Sequence, residues 1–211
     1  MNTRKFKMVK KVLTASLICF ILSACTSNQI VNNQNNQRQR VSDEPPIISS
    51  ISKEIVDYAY EGYHVYPSGY GYSLRYRNLY QDRHYADIYV WPVNQGDAHI
   101  AHKDLVDIYS KGGVADIFSA QDLGRYSSVK VLSKETFNVN GKIVSKHTLS
   151  YNHSGVPVFS YLFVSEFDGE LLKARLTYKN TPRNRKRKES KEFVSAIFKQ
   201  IMQYKQANKQ I

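Results

Sequence analysis

Three sets of residues in this sequence have the types and spacing to do chemistry. The first is basic. Arg183, Arg185, Lys186, Arg187, Lys188 and Lys191 lie within nine residues and are offset only by Glu189, a local net of +5. Such a run attracts phosphates, with a strong dependence on salt. Thr181-Pro182 ahead of it would cap and start a helix. Cations oppose the dipole at a helix N-terminus, however, so the stable helix is expected to begin nearer Glu189. The second set is aromatic. Ten of the 16 tyrosines lie between Tyr58 and Tyr89, with Arg75, Arg77 and Arg83 among them. Rings and guanidinium groups on one surface stack on sugars or bind anionic head groups. Tyr63, Tyr66, Tyr70, Arg75 and Arg77 form the candidate ligand face, and residues 58–69 read as a non-strand stretch that would present the rings. Against this, strands favour tyrosine and bury its ring for packing alone. The third set is histidine. His99 and His102 are spaced i, i+3 with Asp104 and Asp107 nearby, a partial zinc set. No third ligand is fixed by spacing, so no metal is assigned. His147 shares a strand face with Leu149 and Tyr151 and is expected in the core.

Catalytic signatures are missing. There is neither a Gly-x-Ser-x-Gly nucleophile motif nor a phosphate-binding glycine loop. Acids are scattered singly, so a carboxylate pair for glycoside hydrolysis would have to meet in space. No catalytic residue and no cofactor is assigned, and an envelope hydrolase is the least favoured reading.

The elements that must position these residues follow from composition and pattern. The chain has 211 residues, 42% of them hydrophobic, which suits one domain with a real core plus appendages. Lys+Arg 30 against Asp+Glu 18 gives a net charge of +12. Two cysteines rule out a disulfide scaffold. No apolar run reaches the ~20 residues of a spanning helix.

Arg4, Lys5, Lys7, Lys10 and Lys11 are followed by an apolar stretch from Val12 to Leu22, then by Leu22-Ser23-Ala24-Cys25. A basic region, a short apolar region and small residues before a cut make a secretory signal. The last four residues resemble the lipobox of bacterial lipoproteins. The resemblance implies that the thiol of Cys25 takes a diacylglycerol and that residues 1–24 are removed as signal peptide. The mature chain would then hold 25 basic and 18 acidic residues, a net of +7, and no thiol available for chemistry. Thr26 resembles the outer-membrane class of enteric lipoproteins, whose inner-membrane counterparts carry aspartate there. Residues 25–46 are the expected lipidated N-terminus and polar tether, rich in Asn and Gln and stiffened by Pro45-Pro46. As a flexible coil it would reach ~25 Å.

Residues 47–211 read as a single α+β domain. Alternation predicts strands over residues 70–77 and 86–93 and a helical region over 103–123, broken near Gly112-Gly113. Four further strands, at 129–139, 142–152, 156–167 and 170–179, are separated by Asn140-Gly141, Ser154-Gly155 and Asp168-Gly169. These are hairpin turn pairs, so a four-strand C-terminal meander is expected. The third of the four is apolar on both faces and should be central. The fourth alternates Leu172, Ala174, Leu176 and Tyr178 with Lys173, Arg175 and Thr177, so one of its faces should be wet. Residues 192–206 carry the stripe of an amphipathic helix. The expectation is an antiparallel sheet of about six strands packed with a central helical region and a C-terminal amphipathic helix. This order resembles the PsbP-like α/β sandwich, which occurs in small envelope lipoproteins. That resemblance implies a binding or accessory role and carries over no functional residue.

The expected protein is therefore a lipid-anchored, non-catalytic binding or accessory module of the bacterial cell envelope, outer-membrane and facing the periplasm. Its partners are the membrane, through the anchor, and an envelope protein. The alternative is a binder of anionic glycan or lipid, such as lipopolysaccharide or wall polymer. Compartment disfavours nucleic acid. Replacing Cys25 with serine should abolish incorporation of labelled fatty acid and leave an uncleaved or unlipidated form on a gel. Normal labelling of that variant would refute the anchor.

Overall fold

Three Xaa-Gly pairs set the geometry of the C-terminal half. The computed structural model describes residues 44–67, 70–81, 84–181 and 189–208. Cys25, the tether up to residue 43, and Arg183, Arg185, Lys186, Arg187 and Lys188 lie outside the described residues. At Asn140-Gly141, Ser154-Gly155 and Asp168-Gly169 both residues of each pair have positive φ, between 50° and 77°. That is the backbone of a tight turn whose twist matches its flanking strands. The pairs join β5 (Tyr126–Val139), β6 (Lys142–His153), β7 (Val156–Phe167) and β8 (Glu170–Lys179) into an antiparallel meander.

Ahead of it run β1 (Glu54–Ile55), β2 (Tyr58–Val65), β3 (Tyr72–Asn78) and β4 (Tyr85–Pro92), a second meander. Helix α1 (His102–Asp122) carries the chain from β4 to the far edge, and α2 (Glu189–Asn208) follows β8. The result is one eight-stranded sheet in the order β1-β2-β3-β4-β8-β7-β6-β5. Every neighbouring pair is antiparallel.

The two helices lie on opposite faces. On one face Phe193, Val194, Ile197, Phe198, Ile201 and Met202 of α2 pack with Leu74, Tyr76, Ile88, Leu172 and Leu176 of the central strands. Ile47, Ile48 and Ile51, before β1, join the same cluster. On the other face Ile117, Tyr109 and Val114 of α1 cover Leu149, Leu162 and Val164. Leu162 and Phe163 are successive on β7 yet belong to opposite clusters, as the strand period of two requires. Burial of each such side chain contributes about 1.5–3 kcal/mol. Strand β7 is therefore apolar on both faces because a helix lies against each.

The α+β class agrees with expectation, but the sheet has eight strands rather than about six. The additional strands are β1 and β2. Residues 58–65 are strand and not the loop read from the sequence. β2 escaped the alternation test because a bulge between Tyr60 and Gly62 shifts its phase. Its outer half is also exposed, so no apolar stripe marks it. The helical region is likewise unbroken at Gly112-Gly113. Gly113 is buried against β7, and a Cβ there would come within 2.9 Å of Leu162 Cδ2. The glycine lets the helix approach the sheet. His147 lies in the core under α1, its Nε2 3.4 Å from Ser110 Oγ. Burial, assisted by Lys134 and opposed by Asp107, pushes its imidazole below its ordinary pKa.

The two glycines should respond differently to alanine. Gly112 has open space at its Cβ position, so Gly112→Ala should stabilise by about 1 kcal/mol in urea denaturation through helix propensity alone. Gly113→Ala should lose that gain to the Leu162 contact, and equal stabilisation by both would refute the close approach.

Candidate functional site

α1 packs chiefly on β5, β6 and β7. The β3-β4-β8 part of its face has no helix packed across it among the described residues, and there the sequence places charge. Register aligns three rows across these strands: Arg75 with Asp87 and Arg175, Ser73 with Tyr89 and Lys173, and Arg77 with Tyr85 and Thr177. Cations therefore stand on β8, an inner strand of the sheet.

Arg175 is the least usual of them. Its Nη2 donates to the hydroxyls of Tyr151 at 2.8 Å and Tyr126 at 3.1 Å, and its Nε to Ser160 Oγ at 3.4 Å. The guanidinium carbon lies 5.4 Å from the Tyr126 ring centroid and 5.8 Å from that of Tyr151. Among the described residues no carboxylate pairs with it. Burial works against its charge, and the oxygens of Tyr151 and Tyr126 more than offset this, raising its pKa. An arginine is charged at any working pH, so a desolvated cation is held here by hydroxyls and ring faces instead of a counter-ion.

Lys173, two residues earlier on the same strand face, sits between rings. Its Nζ is 5.1 Å from the Tyr89 centroid and 5.0 Å from that of Trp91. Its acid neighbour is Asp116 of α1, at 3.8 Å, whose side chain is 63% exposed against 17% for Lys173. Burial pushes the ammonium below its ordinary pKa, Asp116 opposes this and Arg175 adds to it. Burial also pushes the Tyr89 hydroxyl up, with Asp87 and Tyr66 adding to this and the two arginines opposing, so it stays protonated at neutral pH.

The outer cations differ. Arg75 Nε is bound by Asp87 Oδ1 at 2.7 Å and its guanidinium lies 5.4 Å from the Tyr85 ring. Arg77 is 3.7 Å from Glu61, with both side chains exposed. Surface pairs of this kind are worth ~0–1 kcal/mol, and each answers one cation with one acid.

The structure brings together part of the face named from sequence. Arg75 and Arg77 share the open face. Tyr66 joins them, its hydroxyl donating to Ser73 Oγ at 3.4 Å and its ring 4.7 Å from that of His64. Tyr63 does not, because it pairs with Leu74 and so points to the α2 side. Tyr70 stands apart, 58% exposed outside the strands. Lys191, the member of the basic run within the described residues, lies on α2 with its Nζ 4.3 Å from the Phe137 ring, on the other face of the sheet. Sequence reasoning missed Lys173, Arg175, Tyr89, Trp91, Tyr126 and Tyr151 as a group. One signal was present: two cations at i, i+2 on a strand otherwise built for the interior.

His102 uses both ring nitrogens inside the fold. Nδ1 is 2.6 Å from Glu166 Oε2, and Nε2 accepts the Ile143 N–H at 3.2 Å. His99 is exposed, and the described residues contain no group of three potential metal ligands. A cleft of about 390 Å³ between α1 and β5–β6 is lined by Asp104, Asp107, Lys134 and Ser145. Hydrogen bonds from Lys111 and Lys134 hold the Asp107 carboxyl down at about 2, so it has no proton to give near neutrality.

No protein-family model and no curated protein matches the chain. Among solved structures it is similar to a Pseudomonas aeruginosa protein of unknown function, at 10% identity and a TM-score of 0.31. The match covers 46% of this chain and 60% of that one. It is also similar to the cyanobacterial PsbP protein of Synechocystis sp. PCC 6803 in solution, at 10% identity and a TM-score of 0.43, over 66% of this chain and 85% of that one. Both likenesses are too distant to bear on function.

If Arg175 served the fold, removing it would cost stability. If its charge is an expense carried for another purpose, an apolar replacement of similar length should cost nothing. Arg175→Met is expected to leave the midpoint of denaturant unfolding unchanged or raised, because replacing a buried ion by an apolar side chain of similar length is often neutral or stabilising. A loss of several kcal/mol would make Arg175 a structural residue.

Proposed function

We propose that this chain is a lipid-anchored, non-catalytic binding module of the bacterial envelope, carrying an anionic ligand on the open sheet face. The reading places it on the outer membrane, held at Cys25 and facing the periplasm, and treats the domain as a divergent PsbP-like sandwich. What supports the anchor is the order of basic segment, apolar segment and Leu22-Ser23-Ala24-Cys25. What supports the sandwich is the succession of strands, helix, four-strand meander and helix. The ligand face rests on one observation, the desolvated Arg175 guanidinium that no carboxylate answers among the described residues. Hydroxyls and ring faces hold that charge without neutralising it. An anion that docks there would meet a cation already positioned and already stripped of most of its water.

A second reading has an observation of its own. Tyr85, Tyr89, Trp91, Arg75 and Arg175 give this face the residue types in which protein-binding hot spots are richest. An envelope protein presenting an acidic side chain would satisfy the same guanidinium.

Photo-crosslinking in intact cells separates these. A photoreactive residue at Ser73, beside the Tyr89–Lys173 row, should capture its ligand, whereas one at Lys199 on α2 serves as control. A glycan or lipid adduct specific to position 73 supports the first reading, and a discrete protein adduct the second. Identical products from both positions would remove the open face from consideration.

A further inference from the structure

We propose that the cleft between α1 and the β5–β6 hairpin is a second binding site, for a neutral sugar. Two ties hold the first turns of α1 to the sheet. At one, His102 Nε2 accepts the Ile143 N–H at 3.2 Å; at the other, Lys134 Nζ donates to Asp107 Oδ1 at 2.5 Å. Residues at and between these ties line a cleft of about 390 Å³, within the ~300–1,000 Å³ of small-molecule sites. Register decides which strand residues face it. Ile143, Ser145 and His147 alternate along β6 with Val144, which packs on the α2 side. Asn138, Thr136 and Lys134 stand directly opposite them on β5. The sheet thus offers the cleft two hydroxyls and an amide beside the apolar Ile143, and α1 adds Val106, Lys103 and Asp104.

One buried group points to a ligand. Ser145 is 1% exposed and lines the cleft, and its Oγ has no hydrogen-bond partner among the described residues. A ligand oxygen in the cleft would supply that partner. Charge then selects the ligand class. The lining holds two lysines and two aspartates. Asp107 is taken up by Lys111 at 2.7 Å and Lys134 at 2.5 Å. That leaves Lys103 and Asp104, one of each sign, without an ion pair among the described residues. An anion would meet Asp104, and a cation would meet Lys103. A sugar hydroxyl both donates and accepts. It can answer an acceptor-only carboxylate, a donor-only ammonium and the two-way groups of Ser145, Thr136 and Asn138 alike. The C–H groups of the sugar ring suit Val106 and Ile143. The cleft shares no residue with the open sheet face, so the anionic-ligand reading stands or falls separately.

The experiment uses the full-length chain, methyl-labelled for NMR, in a polyoxyethylene detergent that carries no sugar head group. It is titrated with maltose and with N,N′-diacetylchitobiose, and in parallel with glucuronate, glucosamine and glycine as charged probes. Saturable shifts of the Val106 and Ile143 methyl resonances with a neutral sugar are expected, while Ile197 and Ile201 on the α2 side stay unmoved. Ser145→Ala should weaken that binding by about 3–10-fold, the loss of one hydrogen bond. It should leave the urea midpoint unchanged or raised, because the hydroxyl has no protein partner to lose. Asp104→Asn should weaken binding at least as much, and Arg175→Gln should not weaken it. A lowered urea midpoint for Ser145→Ala with unchanged sugar affinity would make the hydroxyl a structural group and overturn the site. Absence of methyl shifts with both sugars, or shifts confined to other faces, would overturn it as well. Tighter binding of a charged probe than of either sugar would overturn the neutral ligand.

Discussion

The pairing of β4 with β8 is the contact on which the rest depends. Each meander alone is a sheet with a bare edge, and an edge strand exposes a row of unpaired N–H and C=O groups. The register from Tyr85–Thr177 to Pro92–Glu170 joins those edges and makes one sheet of the two. It also creates the site, because it sets Tyr89 and Trp91 of one meander beside Lys173 and Arg175 of the other. Neither half of the chain contains that arrangement by itself. The pairing is non-local and pays its loop-closure entropy before any contact rewards it, so it belongs to the slow class of folding steps.

Two helices cannot cover both faces of eight strands. α2 lies across the middle of one face, and its buried stripe runs from Phe193 to Met202. α1 is held over β5–β7 by its connection to the far edge, so the second face is covered on one side only. At the margin of that cover stand two pairs of rings, Tyr126 with Tyr151 against Arg175 and Tyr89 with Trp91 against Lys173.

Much of the fold was legible in the sequence, and the reasons are local. Asn140-Gly141, Ser154-Gly155 and Asp168-Gly169 read as turns because positive φ is a property of the residues themselves. The stripe of α2 and the two apolar faces of β7 likewise follow from neighbours within a few positions. What escaped depended on distant residues. The bulge between Tyr60 and Gly62 inverts the phase of β2, so Tyr63 turns to the α2 side although alternation from Tyr58 puts it on the other. The Gly112-Gly113 pair looked like a break because its use, close approach to Leu162, lies on another element. Lys173 and Arg175 were read as a wet strand face. Alternation shows that a face is polar but not what stands across from it, and here that is β4, far away in sequence.

The arrangement bears on how a ligand would be held. Two charges 4 Å apart interact by ~1 kcal/mol in bulk water and ~4 kcal/mol at the effective dielectric of a partly buried site. The cations of β8 lost most of their hydration when the sheet formed, so that cost does not fall again on binding. Their positions are set by strands rather than by a loop, which limits the side-chain entropy lost on association. Arg175 is further fixed by Tyr126, Tyr151 and Ser160, on three different strands. A surface run of flexible lysines and arginines attracts anions over a long range but orders none of them. Three hydroxyls around one guanidinium do the opposite: they add little to long-range attraction and fix the direction from which an anion would be received.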